Sequence, residues 1–314
     1  MTKIRALTEA DLSEAQRILR IAFGTFLGAP DPEQFWSDLD YVYGRFGAEH
    51  TAAFAAEDEE GVLVGSNFAT RWDSVGFFGP LTTRPDLWDD GVGERLVAAA
   101  CDQLDAWGVR HAGLFTFAQS AKHVRLYGKF GFHPRFLTAI MARPSGEQAV
   151  TTAVSRYSAL PAGQRQEAEN ASRELSEEIY PGLDLRGEIR TVAARALGDT
   201  VLLWDQDSRL AGFAVCHWGP ASEAGEGCCF VKFGAVRPST GAEDRFSALL
   251  DTCAGYAREA GMPNVLAGVN LGRERAYRQM LARGFRTMIQ GVTMHRPNEP
   301  GYSAPGLYVL DDWR

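Results

Sequence analysis

Residues 80–132 hold the turns and side chains best suited to chemistry. An apolar run (Val75, Phe77, Phe78, Leu81) passes through Thr82-Thr83-Arg84-Pro85 into Trp88-Asp89-Asp90-Gly91-Val92-Gly93-Glu94-Arg95-Leu96. A strand that enters a glycine-bearing turn and then an apolar-periodic helix leaves the first N–H groups of that helix unpaired, beside a partial positive charge. This is a place for an anion such as a pyrophosphate. Gly91 and Gly93 suit it because a Cβ there would crowd phosphate oxygens, although glycines at a helix start also serve plain tight turns. An apolar strand at 112–117 follows, then a helix from about Ser120 that closes on Tyr127-Gly128-Lys129-Phe130-Gly131-Phe132. The Tyr127 phenol, with an ordinary pKa of about 10, is protonated at neutral pH and can donate a proton; it can equally be a packing aromatic on the last helical turn.

The glycine turn at Gly91 and Gly93, followed by Tyr-x-x-x-Gly-Phe at Tyr127, Gly131 and Phe132, resembles the GCN5-related N-acetyltransferase family. That family's turn reads Gln/Arg-x-x-Gly-x-Gly/Ala, and Trp88 stands where it has Gln or Arg. The resemblance implies an α/β (α+β) fold, a mixed central sheet flanked by helices, and acetyl-coenzyme A as cosubstrate. It places the pantetheine arm and thioester on backbone groups of Leu81, Thr82 and Thr83, and the pyrophosphate on N–H groups of Asp89, Asp90, Gly91, Val92, Gly93 and Glu94. Ser120 takes the place of an Asn that binds the pantetheine arm, and could also serve only as the cap of its helix. Tyr127 becomes the general acid that protonates the departing thiolate. For the general base, family members often have a Glu on the strand before the turn; residues 75–83 contain no carboxylate, so Asp73 is the nearest acidic candidate, with His111 and His133 at strand ends. Asp86, Asp89, Asp90 and Glu94 crowd a turn that should attract phosphate, and like charges weaken such a site.

A chain of 314 residues, 45% hydrophobic, can bury a sizeable core and is long enough for two domains. The formal charge of −8 and a pI near 5.4 argue against nucleic acid as a partner and favour a neutral or cationic small molecule, which the family resemblance would make an amine substrate. Apolar runs of membrane-spanning length and a signal-peptide h-region are both missing, so a soluble, cytoplasmic protein is expected, with no membrane partner. Cys101, Cys216, Cys228, Cys229 and Cys253 lack metal-ligand spacing and read as free thiols; adjacent Cys228 and Cys229 on a strand would face opposite ways. Cys216-His217-Trp218 looks reactive, but the same alternation separates the cysteine from the histidine.

The elements that position these residues occur twice. Thr8 caps a helix to about Phe23, a second helix is expected over 31–46, and strands at 51–56 and 62–71 flank the Glu57–Glu60 turn. In the second half, helices over 161–196 break at Tyr180-Pro-Gly, before strands at 200–204, 210–218 and 228–236. Arg84-Pro85, Gly108 and Gly131-Phe132 recur as Arg237-Pro238, Gly261 and Gly284-Phe285, each offset by 153 residues, which predicts two copies of one fold. Domains are therefore placed at 1–141, holding the acetyl-coenzyme A site, and 160–314, joined by a linker at 142–159. In the second copy Gly91 becomes Asp244, Gly93 becomes Phe246 and Tyr127 becomes Met280, so it is the degenerate one. Transfer of an acetyl group to an amine by the first half is the leading reading; a coenzyme- or metabolite-binding protein without turnover is the alternative. The tail after His295 carries Leu307-Tyr308-Val309-Leu310 and is expected to dock as an edge strand or flap between the halves, bringing Tyr308 or Trp313 near the acceptor opening.

Overall fold

The computed structural model describes residues 2–146, 153–220 and 222–314. The first half contains β1 (Lys3–Ala6), α1 (Leu12–Leu27), α2 (Val42–Arg45), β2 (Thr51–Glu57), β3 (Leu63–Trp72), β4 (Val75–Phe78), β5 (Thr82–Thr83), α3 (Val92–Ala106), β6 (His111–Thr116), α4 (Ala121–Gly128) and β7 (His133–Pro144). The second contains β8 (Ala153–Arg156), α5 (Ala162–Ile179), α6 (Arg186–Ala194), β9 (Gly198–Trp204), β10 (Leu210–Gly219), β11 (Gly225–Val236), α7 (Ala242–Glu259), β12 (Asn264–Asn270), α8 (Glu274–Ala282), β13 (Arg286–Arg296) and β14 (Val309–Leu310). From β6 onward the copies keep the offset of 153: β12, α8 and β13 begin that many residues after β6, α4 and β7.

Helical periodicity sets which face each helix buries. Leu12, Ala15, Ile18, Leu19 and Ala22 of α1 are buried, and most of them pack with Ala55, Leu63 and Phe68 on one side of the sheet. Val97, Ala100, Cys101 and Leu104 of α3 meet Phe78, Ala112 and Leu114 on the other. Thr8 and Asp11 form a capping box ahead of α1, with the Thr8 N–H and hydroxyl both donating to Asp11 Oδ2 at 2.8 and 2.7 Å. The helix expected over 31–46 shrinks to α2. Trp36 adopts φ +51°, which a helix cannot continue through, and its ring packs 5.0 Å from Phe23.

Two separate sheets are expected from the repeat, but among the described residues all fourteen strands join one sheet. Its main path is β1-β2-β3-β4-β6-β13-β7-β12-β11-β10-β9-β8. Each half's last long strand crosses over: β13 pairs with β6, and β7 pairs with β12, while β7 and β13 pair with each other at the centre. The exchange leaves neither half with an open edge at the middle of the molecule. It also changes the reading of 142–159 as a linker: Ala142–Pro144 belong to β7 and Ala153–Arg156 to β8, while 147–152 lie outside the described residues.

A buried ionic cluster fixes one half against the other. Arg45 reaches both oxygens of Glu223, Nε to Oε1 at 2.7 Å and Nη2 to Oε2 at 3.0 Å, and Lys232 Nζ donates to Oε1 at 2.6 Å. Nearby, Glu188 of the second half accepts from Trp72 Nε1 at 3.2 Å and lies 3.0 Å from His50 Nε2. A carboxylate removed from water needs this number of donors to stay ionised.

Candidate active site

The site begins where two parallel strands part. β4 pairs with β6 over Val75–Phe77 and His111–Gly113 only. Gly79, at φ +140°, and Pro80 then turn the chain away, and it resumes as β5 against Gly65 and Ser66 of β3. β6 meanwhile continues to Thr116 along β13. The gap between the diverging strands opens into a cavity of about 850 Å³.

Leu81, Thr83, Asp89, Gly91, Val92, Gly93, Glu94, Ser120 and Tyr127 all line it, so most of the residues singled out in the sequence are brought together. Gly91, at φ +79°, is the residue before the first turn of α3, and a Cβ there would meet nothing within 4 Å. At Gly93 the nearest atoms to such a Cβ would be Leu126 Cδ2 at 3.9 Å and Leu81 Cδ2 at 4.0 Å. The start of α3 is therefore uncrowded at both glycines, which suits the approach of a phosphate to its N–H groups.

The acids of the turn are answered by cations. Arg84 pairs with Asp86 at 2.5 Å, Lys122 with Asp89 at 2.8 Å, and Lys129 with Glu94. Lys122, Arg125 and Lys129 all reach the cavity from α4 or just beyond it. The crowding of negative charge read from the sequence is thus offset across the mouth of the site.

Two of the expected residues point elsewhere. The Thr82 side chain is buried, with its hydroxyl 3.2 Å from Ser66 Oγ, and Asp90 is exposed outside the lining. Asp73, the candidate base, is a correction: it sits in the β3–β4 turn at φ +57°, bridged to Leu183 of the second half. That turn is at the end of β4 remote from Gly79, so Asp73 cannot face the cavity. His111 and His133 are not in the lining either; His111 Nε2 lies 3.2 Å from His295 Nδ1 in the core.

Tyr127 is buried, and burial pushes its phenol above the usual value while a hydrogen bond with Thr116 works against that shift. The hydroxyl is therefore held protonated. Ser120 has both of its readings: it lines the cavity, and its Oγ accepts from His123 N at 3.4 Å as the cap of α4. His123, one turn before Tyr127, also lines the cavity, with its ring 4.9 Å from that of Phe26. Its i, i+4 spacing to Tyr127 was the available signal.

On the face of the sheet opposite α3, the wall is aromatic. Phe23, Phe26 and Trp36 from α1 and the segment after it meet Phe115 and Phe117 from the end of β6, with Phe26 and Phe117 5.2 Å apart. Trp313 and Arg314, nearly two hundred residues further along the chain, complete this end. No local pattern in the sequence ties them to it.

Comparison with known proteins bears on the geometry. Residues 15–132 match the model of the Acetyltransferase (GNAT) family. A putative acetyltransferase from Pyrococcus horikoshii is similar in structure at TM-score 0.67 and 14% identity, over 98% of this chain and 93% of that one. A GCN5-related N-acetyltransferase from Sphaerobacter thermophilus aligns at TM-score 0.59 and 18% identity, over 94% and 95%. A tandem GNAT protein from the clavulanic acid biosynthesis pathway aligns at TM-score 0.59 and 13% identity, over 94% and 98%. At such identities the likeness is one of fold. No curated protein matches the sequence.

Proposed function

The first half of the chain belongs to the acetyltransferase (GNAT) family, and from that premise we propose that it transfers an acetyl group from acetyl-coenzyme A to an amine of a small molecule or peptide. The observation that carries this reading is one cavity lined together by the open start of α3, by Leu81 and Thr83 where the chain leaves β4, and by Tyr127. Acetyl-coenzyme A would supply the activated acyl group as a thioester. N–H groups of Val92, Gly93 and Glu94 would hold its pyrophosphate, with Lys122 and Lys129 adding charge at the rim, and the backbone at 81–83 would orient the pantetheine arm. Tyr127 keeps a proton on its hydroxyl at neutral pH, as a donor to a departing sulfur must.

The acceptor end narrows the choice of amine. Among the described lining residues the carboxylates are Asp89 and Glu94, and both are paired with lysines at the α3–α4 mouth. An amine that meets the Phe23, Trp36, Phe115 and Phe117 wall therefore finds His123, held neutral by burial, rather than a free carboxylate as the group able to take its proton, and flat apolar amines of low basicity suit the wall best. Calorimetry with acetyl-coenzyme A, combined with thiol release across a panel of aromatic and aliphatic primary amines, tests the proposal. Expected are one binding site, turnover, and a pH dependence of kcat/KM that moves with the pKa of each amine. Binding without turnover on any amine would give the alternative, a coenzyme-binding protein.

A further inference from the structure

The second copy has its own version of the coenzyme cleft, and the chain fills it. At the offset of 153, Leu81 and Thr82 correspond to Gly234 and Ala235 of β11, and these two residues pair with Leu310 and Val309 of β14. Asp90 and Gly93 correspond to Glu243 and Phe246 at the start of α7. There the Tyr308 hydroxyl donates to Glu243 Oε2 at 3.2 Å, and its ring lies 5.2 Å from that of Phe246. On the other side of the cleft, a Cβ on Gly268 of β12 would fall 2.4 Å from Asp312 Cβ. Val309 and Leu310 are fully buried. The segment thus runs from the place of the pyrophosphate, along the place of the pantetheine arm, and between the two strands that would otherwise part. Its docking was expected, but as an edge strand or flap; it lies inside the fold instead.

The same segment then enters the first half. The Trp313 indole lies on Gly113 of β6, where a Cβ would sit 1.9 Å from the ring, and Trp313 Nε1 donates to Tyr302 Oη at 2.9 Å. The Arg314 guanidinium stacks 3.8 Å from the centre of the Phe230 ring, and both Trp313 and Arg314 line the first-half cavity.

We propose that residues 308–312 are a permanent internal occupant of the second half's coenzyme cleft, and that this seating carries Trp313 and Arg314 into the first half, where they select the acceptor. The selection part rests on the transferase reading of the first half; the occupancy part does not. One cleft of the pair was converted from a ligand site into an anchor for the wall of the other.

Hydrogen exchange on the full chain, with and without acetyl-coenzyme A, reads the occupancy. Amides of 308–312 should exchange slowly and equally in both conditions, while residues 79–96 gain protection on addition. Fast exchange of 308–312, loss of its protection on adding acetyl-coenzyme A, or two acetyl-coenzyme A molecules per chain by calorimetry would overturn the proposal. Unchanged protection at 79–96 would instead count against coenzyme binding by the first half and leave the 308–312 result readable. For selection, Trp313→Ala and, should that variant fail to fold, Arg314→Ala are compared with the parent on the amine panel. The expected result is acetyl-coenzyme A affinity within about threefold and a reordered amine preference, with kcat/KM for the best amine down roughly tenfold. The same ranking and constants in a folded variant would overturn it. If the parent turns over no amine, the exchange and stoichiometry results decide.

Discussion

The first half keeps an open cleft and the second a closed one, on the same arrangement of strands and helices. In the first, the chain breaks at Gly79-Pro80 between β4 and β5, and glycines stand at the start of α3. In the second, β11 continues as one strand from Gly225 to Val236 with only a bulge at Lys232, the position that matches Gly79; Phe246 replaces Gly93, and Met280, fully buried, replaces Tyr127. A core gains dispersion and burial free energy by filling such a gap, at about 1.5–3 kcal/mol for each large apolar side chain. The second half takes that gain through Tyr308, Val309 and Leu310. The first half forgoes it over some 850 Å³, which is the expected state of a site that has to admit a ligand.

Copying the second half's residue into the first is the strongest way to break this contrast. Gly93→Phe should leave the melting temperature nearly unchanged, because the surrounding atoms stand at 3.9 Å or more from its Cβ position. It should weaken acetyl-coenzyme A binding by about 1,000-fold, or roughly 4 kcal/mol, by filling the phosphate place. Calorimetry that finds the parent affinity would remove the glycine cradle from the site.

What holds the open and closed halves together is tested next. Glu223→Gln leaves Arg45 and Lys232 buried without their carboxylate and should cost about 3 kcal/mol in urea unfolding. Burial alone would raise the Glu223 pKa, but Arg45 and Lys232 outweigh it and hold the carboxyl at about 2. Because the folded pKa is depressed, this contribution is present above the unfolded value of about 4.3 and is lost as pH falls from there towards 2. A variant as stable as the parent at pH 7 would assign the joining of the halves to the exchanged strands alone.

Two smaller effects sharpen the comparison on the open side. Tyr127→Phe keeps the ring packed against Phe78, 5.8 Å away, and removes only the proton donor. The expected change is a kcat roughly 100-fold lower with acetyl-coenzyme A affinity unchanged; equal turnover would make Tyr127 a packing residue like Met280. Lys129→Ala should weaken acetyl-coenzyme A binding by about threefold at low salt and less at high salt, since it frees Glu94 beside the phosphate place in an exposed setting. A loss independent of salt would point to packing rather than charge.

What could be read from the sequence alone was local or repeated. The glycine turn, Tyr127 at a helix end and the family they resemble depend on residues within one stretch of about fifty. The two-copy fold showed itself through landmarks at a constant offset, and the loss of Gly91, Gly93 and Tyr127 in the second copy followed by direct substitution. Everything else depended on contacts between distant parts of the chain. The crossing of β7 and β13 is a choice between sheet partners of equivalent pattern, which alternation cannot rank. The pairing of Asp89 with Lys122 and of Glu94 with Lys129 depends on how α3 and α4 face each other. Asp73 lost its expected role because its turn docks on residues near Leu183, and Trp313 and Arg314 gained theirs because β14 seats in the other copy's cleft. Residue type and spacing specify what a segment can do; which surface it meets is decided only when the whole chain packs, because burial free energy is collected at contacts that sequence distance does not encode.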